Sequence, residues 1–296
     1  MEGRKISALQ KKGKIMIEKV FITQKEGFNS ADFGEPGAWD PALLAQAKVG
    51  SWLGKSLVYV IGGDMVLRTR LGKLESNLAL GYGDLGHKPY LGRGKLALAI
   101  DTYDTLAEDY AVMLAKERIH TCIFDSNSGI LTANADVTPI QDFVGKDVEV
   151  NVDPLIEALE DKHKTIPIIA PIANTRKGHY SPYSQLVLDA DLVSVAIAKA
   201  LLEKGKEVIL IKPGSSMIDD QYGFVRELTY AEYMKKRGEG KIRSGMESGL
   251  DTAFAAVASG AEFYITDDFF YRSVEGLISP LIGVNYATKL VKGDYE

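Results

Sequence analysis

Apolar residues recur along the middle of the chain in two alternating rhythms, one helical and one strand-like. Within Asp142 to Ile211, Pro154 is a residue favoured in a first helical turn, and Leu155, Ile156 and Leu159 follow it at helical spacing. Ile166 to Ile172 is a short apolar run broken by Pro167 and Pro171, which reads as a buried strand leaving its sheet at the second proline. Asp191 then opens a helix with Val193, Ala196, Ile197, Ala200 and Leu201 on its packed side, and Gly205 closes it. Glu207 to Ile211 is the next strand. Helix, strand, helix, strand in so short a stretch predicts a parallel sheet with crossover helices.

The pattern extends to both sides. Ile15 to Thr23 predicts a first strand, followed by a loop rich in Gly, Pro, Asn and Asp. Asp40 is an N-cap candidate before Pro41, with Trp39 and Leu44 placed for a hydrophobic staple, and the helix they open ends near Gly54. Ser56 to Ile61 is a second strand running into Gly62-Gly63-Asp64. The glycine-rich residues 81–95 read as a mobile flap. Asp104 to Lys116 carries Leu106, Tyr110, Met113 and Leu114 on one helical face. His120 to Phe124 is a strand, and Ser128 to Phe143 a hairpin or irregular excursion at the sheet edge.

Residues 212–229 read as a loop and Thr229 to Gly240 as a short helix. Gly245 to Ser259 is another helix, with Leu250, Phe254 and Val257 on one face and Gly260 as its stop. Ala261 to Thr266 is the last core strand. The predicted class is α/β: a three-layer αβα sandwich around a mainly parallel sheet of roughly eight strands. Two lobes are expected, residues 1–182 and 183–296.

Composition narrows the class without changing it. The 296 residues are 46% hydrophobic and 25% charged, an ordinary globular balance. A net charge of −5 gives no strongly basic face for nucleic acid, and the cluster Lys11, Lys12 and Lys14 reads as a solvated tail. With Cys122 as the single cysteine, no disulfide can form within the chain, which fits a reducing cytoplasm. No apolar run reaches the roughly 20 residues of a membrane helix, and no signal-peptide core precedes the first strand.

Standard catalytic motifs do not occur. His87, His120, His163 and His179 lack metal-ligand spacing, so no protein-held metal is expected, and there is no Walker A, G-x-S-x-G or H-E-x-x-H sequence. Gly62 and Gly63 at a strand end admit two readings. Either they form a plain tight turn, or they let backbone amides approach a phosphate with no Cβ in the way.

The run FVGKDVEVNVDPLIEAL, then IPIIAPIA, then LDADLVSVAIAKAL resembles the middle of the amino-acid kinase family, and the acetylglutamate kinases within it. The pattern there is a VG-x-V strand, a helix, an IPVI-x-P strand and an N-x-N-x-D turn into a helix. The later LTYAEYMKKRGEGKIRSGMESGLDTAFAAVASGAEFYIT resembles the family's closing helix, G-x-I-x-x-GM turn, helix and strand. The resemblance implies phosphoryl transfer from ATP with Mg2+ to a carboxylate of a small amino-acid-like ligand. It also implies a homo-oligomer. Gly62 and Gly63 match two glycines of a V-H-G-G-G element, while Asp64 takes the place of the third. Arg93 stands where the family holds the acceptor's carboxylate, with a solvated arginine as the alternative, and Asp189 in the turn is assigned to the acceptor with it. Ser215, Met217, Gly245 and Met246 are expected to border the nucleotide.

The family's charged residues do not carry over. Its first lysine falls on Gln24, or on Lys25 after a one-residue slip that reverses its side of the strand. The second lysine falls on Gly249. The N-x-N-x-D turn becomes Val187-Leu188-Asp189-Ala190-Asp191 and keeps its last aspartate, whereas the L-T-D motif becomes Leu210-Ile211-Lys212. Lys212 and Asp191 are therefore the expected catalytic pair, with Lys212 on the phosphates. A lysine reaching from the strand end to solvent is the alternative. Three functions stay open: a phosphotransferase with a rebuilt site, a nucleotide-binding protein without catalysis, and a ligand-free structural protein.

Overall fold

The computed structural model of the protein describes residues 19–26, 56–62, 93–136, 144–177, 184–214, 219–220, 223–242, 244–267 and 287–293. The expected helix before Gly54 and the flap up to residue 92 lie outside them. So do Gly63, Ser215 and Met217.

Among the described residues the central sheet has eight strands. In chain order they are β1 (Lys19–Glu26), β2 (Ser56–Gly62), β3 (Thr121–Phe124), β6 (Ile166–Ile169), β9 (Glu207–Gly214), β12 (Glu227–Thr229), β13 (Glu262–Asp267) and β14 (Ala287–Val291). Across the sheet the order is β12-β14-β13-β9-β1-β2-β6-β3. All neighbours pair in parallel except β13 and β14. A second sheet has the order β5-β4-β7-β8, from β4 (Leu131–Ala135), β5 (Gly145–Val150), β7 (Ile172–Thr175) and β8 (Gln185–Val187). A two-residue ladder joins β10 (Asp219–Asp220) to β11 (Gly223–Phe224).

The helices are α1 (Arg93–Lys116), α2 (Asp153–Leu159), α3 (Ala190–Glu203), α4 (Tyr230–Gly238) and α5 (Ser244–Ala258). Strand alternation assigns them to two layers. Val20, Ile22, Val58, Val60, Val208 and Leu210 face one core, shared with α2, α3 and α5. Phe21, Leu57, Tyr59, Ile61, Ile209 and Ile211 face the other, packed against Leu96, Ala99, Tyr103 and Leu114 of α1. Burial on both faces is why these strands read as unbroken apolar runs. This is the αβα sandwich expected, and its one sheet joins strands from both sides of residue 182.

Several boundaries differ from expectation. The run from Ile166 leaves the central sheet at Pro171 as expected, but the chain beyond it continues as β7 of the second sheet. Helix α1 starts at Arg93 instead of Asp104. Buried Leu96, Ala99 and Tyr103 continue its apolar stripe backwards, and that packing outweighs the cost of Gly94 in the first turn. Strand β1 runs on through Gln24, Lys25 and Glu26, past the expected end at Thr23. Strand β9 likewise includes Lys212, Pro213 and Gly214. Polar residues, a proline and a glycine extend these strands past their apolar runs, so the apolar pattern alone ends each strand too early.

Candidate functional site

The sheet changes direction at β1. Chain continuation places β2 on one side of it and β9 on the other. Open parallel sheets form a crevice at such a switch point, outside the carboxyl ends of the strands. Gly62 is the last residue of β2 and pairs with Glu26 of β1. Lys212 stands near the end of β9, opposite Ile265 of β13. Gly62 and Lys212 thus lie at the same edge of the sheet, one strand apart on either side of β1.

Alternation along β9 puts Leu210 on the α3/α5 side and Ile211 on the α1 side. Lys212 therefore follows Leu210 toward α3 and α5. There its Nζ donates to Oδ2 of Asp191 in the first turn of α3. Both side chains are largely withdrawn from solvent, 28% exposed for Lys212 and 15% for Asp191. Asp189, not Asp191, caps α3. Its Oδ1 accepts from the backbone N of Asp191 at 2.8 Å, which anchors the residue that meets the ammonium. The exposed Asp189, expected at the acceptor, has this capping role in the structure.

Gly249 completes the cluster from α5. A Cβ built there would stand 2.8 Å from Nζ of Lys212 and 3.0 Å from Oδ2 of Asp191. Helices α3 and α5 each precede a strand of the parallel set, β9 and β13. Their amino termini therefore lie at the carboxyl edge of the sheet, where the helix dipoles add partial positive charge beside Lys212. Gly245 and Met246 fall in the first turn of α5.

The start of α5 is fixed by a cluster that sequence reasoning missed. Arg237 of α4 bonds Glu247 through Nε at 3.2 Å and Asp251 through an Nη at 3.1 Å. The buried Tyr233 hydroxyl donates to Asp251 Oδ1 at 2.8 Å, and its ring stacks on Phe254 at 5.3 Å. Burial, then the Asp251 carboxylate, pushes the phenol up to about 12. The signal was present as i, i+4 pairs on two successive helices, Tyr233/Arg237 and Glu247/Asp251.

Arg93 heads α1 on the other face of the sheet. The Asp104 carboxylate of α1 accepts from Ser126 N at 3.0 Å and Ser126 Oγ at 2.5 Å, just past the end of β3. Asp104 is thus level with the carboxyl edge. Arg93 lies eleven residues earlier along the helix, roughly 16 Å further out at helical rise. Among the described residues no group of three or more His, Cys, Asp or Glu side chains is placed to hold a metal ion. No described helix is long and apolar enough to cross a membrane.

This sheet order, with helices on both faces of a mainly parallel sheet, defines an αβα sandwich with a switch-point edge. Residues 43–267 match the model of the amino acid kinase family, and the chain belongs to that family. Among curated relatives it is similar to the acetylglutamate kinase of Erythrobacter litoralis, 32% identical over 126 residues, 43% of this chain and 39% of that protein. The match thus spans about two fifths of such a relative's length. Among solved structures it resembles N-acetylglutamate synthase from Neisseria gonorrhoeae complexed with coenzyme A and N-acetyl-glutamate. The TM-score is 0.70 at 17% identity, covering 97% of this chain and 61% of that one. Carbamate kinase from Giardia lamblia bound to AMP-PNP matches with a TM-score of 0.61 at 14% identity, covering 94% and 99%. At these identities the structural likenesses establish the fold alone.

Proposed function

We propose that this chain binds ATP with Mg2+ at the carboxyl edge of the sheet and transfers a phosphoryl group to a carboxylate of a small amino-acid-like acceptor. One observation carries the reading: the Lys212 ammonium is held at the switch-point crevice, next to the amino termini of two helices. Developing charge on a transferred phosphoryl group is stabilised by such preorganised cations and amides. Lys212 takes the phosphates, Asp191 orients it, and Gly62 and Gly63 offer backbone amides. Ser215, Met217, Gly245 and Met246 border the nucleotide. The donors present fit the phosphates of ATP, and the nucleotide's own phosphates would supply most of the bound Mg2+ ligands.

The acceptor is assigned to the 1–182 part, with Arg93 on its carboxylate, and the nucleotide to the 183–296 part. Asp189 reaches the acceptor only if it can do so while capping α3. A homo-oligomer in the cytoplasm completes the proposal.

A second reading, nucleotide binding without catalysis, is favoured by Gln24 and Gly249. Neither supplies a cation where the resembled kinases have lysines. Calorimetry with ATP and Mg2+ tests both readings for binding. Product analysis over a panel of carboxylates that includes N-acetylglutamate then separates them. Binding with turnover supports the first reading, binding without turnover the second, and no binding contradicts both.

A further inference from the structure

A Cβ at position 249 would overlap the seated Lys212 ammonium, so the end of the lysine side chain would have to shift to admit it. The missing Cβ would lie 2.8 Å from Nζ, closer than real Cβ contacts come, and 3.0 Å from the Asp191 oxygen that holds it. The two groups arrive from different elements, Lys212 from β9 and residue 249 from α5, yet they converge on one point beside Asp191. Glycine is a poor residue for the second turn of a fifteen-residue helix, where alanine would be favoured. Its presence there needs a reason, and the seated ammonium provides one.

We infer that Gly249 is a positioning residue that determines which element delivers the cation to the phosphate site. With no side chain at 249, the strand lysine reaches Asp191. With a lysine at 249, a cation reaches the same point from the helix, and Lys212 is no longer needed. The inference rests on the phosphate-binding reading above. Its distinctive content is an exchange: the site keeps its cation when the residue types at 212 and 249 are altered together.

The full chain and the variants K212M, G249A and K212M/G249K are titrated with ATP and Mg2+, and separately with inorganic tripolyphosphate. K212M is expected to lose at least tenfold in affinity for both. G249A weakens binding because its Cβ pushes the ammonium aside, and K212M/G249K recovers most of the loss. G249A binding like the parent, or K212M/G249K binding no better than K212M, overturns the inference while leaving the phosphate-binding reading intact.

A readout independent of ligand accompanies the titrations. Melting temperatures are measured for G249A in the parent and in K212A. Without the ammonium, alanine should raise the melting temperature through its helix preference. In the parent it should raise it less or lower it. Equal shifts in both backgrounds refute the steric coupling. Absent binding by the parent contradicts the phosphate reading, and the melting comparison then decides the seat of Lys212 on its own.

Discussion

Lys212 at the end of β9 and Asp191 in the first turn of α3 form a half-buried ion pair at the carboxyl edge of the central sheet. The carboxylate is doubly placed, because it also sits where the dipole of α3 favours negative charge. Replacing Asp191 by Asn removes both interactions. We expect D191N to lose about 1 kcal/mol of stability, a surface-to-half-buried value for a pair of this exposure. Urea unfolding of the variant against the parent measures it, and an unchanged midpoint would show that the pair contributes nothing.

Asp189 caps α3 through Asp191 N. D189A should cost about 1 kcal/mol, while D189S, which restores a capping oxygen, should recover most of it. If Asp189 serves the acceptor as well, D189S will keep the stability and still raise the acceptor KM. Parent-like kinetics in D189S confine the residue to its cap.

Tyr233 sets the alkaline limit. Its phenol, ordinarily 10.0, is pushed up to about 12 by burial and by the Asp251 carboxylate. The native state keeps the proton while the unfolded chain gives it up. This contribution is therefore full below pH 10 and is lost as pH rises toward 12. Denaturation midpoints across that range should fall more steeply for the parent than for Y233F, and parallel slopes would contradict the assignment.

Glu262 acts at the other end. Burial alone would raise its carboxyl, but the Tyr264 hydroxyl and the Lys289 and Lys19 ammonium groups hold it below its ordinary 4.5. Its stabilisation is present above pH 4.5 and fades as pH falls below that value. These groups gather at the amino ends of β1, β9 and β13, where Lys19 meets Glu207 at 3.1 Å and Glu262 at 3.6 Å. E262Q should flatten the acid limb of stability and leave the neutral region nearly unchanged. An acid limb identical to the parent's would remove Glu262 from it.

How much was legible follows from where each signal lies. Strands buried on both faces, such as Val208 to Ile211, announce themselves by composition, whereas Glu227 to Thr229, read as loop, joins the edge of the sheet as β12 with only Leu228 buried. Pro171 marked a break, but no local feature said that the chain beyond it joins a second sheet. Pairing partners are non-local information. The first turns of α1 were hidden by the glycines around Arg93, although Leu96, Ala99 and Tyr103 kept helical spacing. At the candidate site, the residue types of Lys212 and Asp191 were legible. The seat at Gly249 was not, because an absent side chain gains meaning only from what three separate elements place around it.

The most direct measurement is calorimetric titration of ATP with Mg2+ into the full chain and into K212M. Binding by the parent with at least a tenfold loss in K212M, about 1.4 kcal/mol or more, is the expected result. Without ligand, K212M should lose about 1 kcal/mol of stability at most, as expected for D191N, since it breaks the same ion pair. Equal affinity in parent and variant would contradict a phosphate role for Lys212.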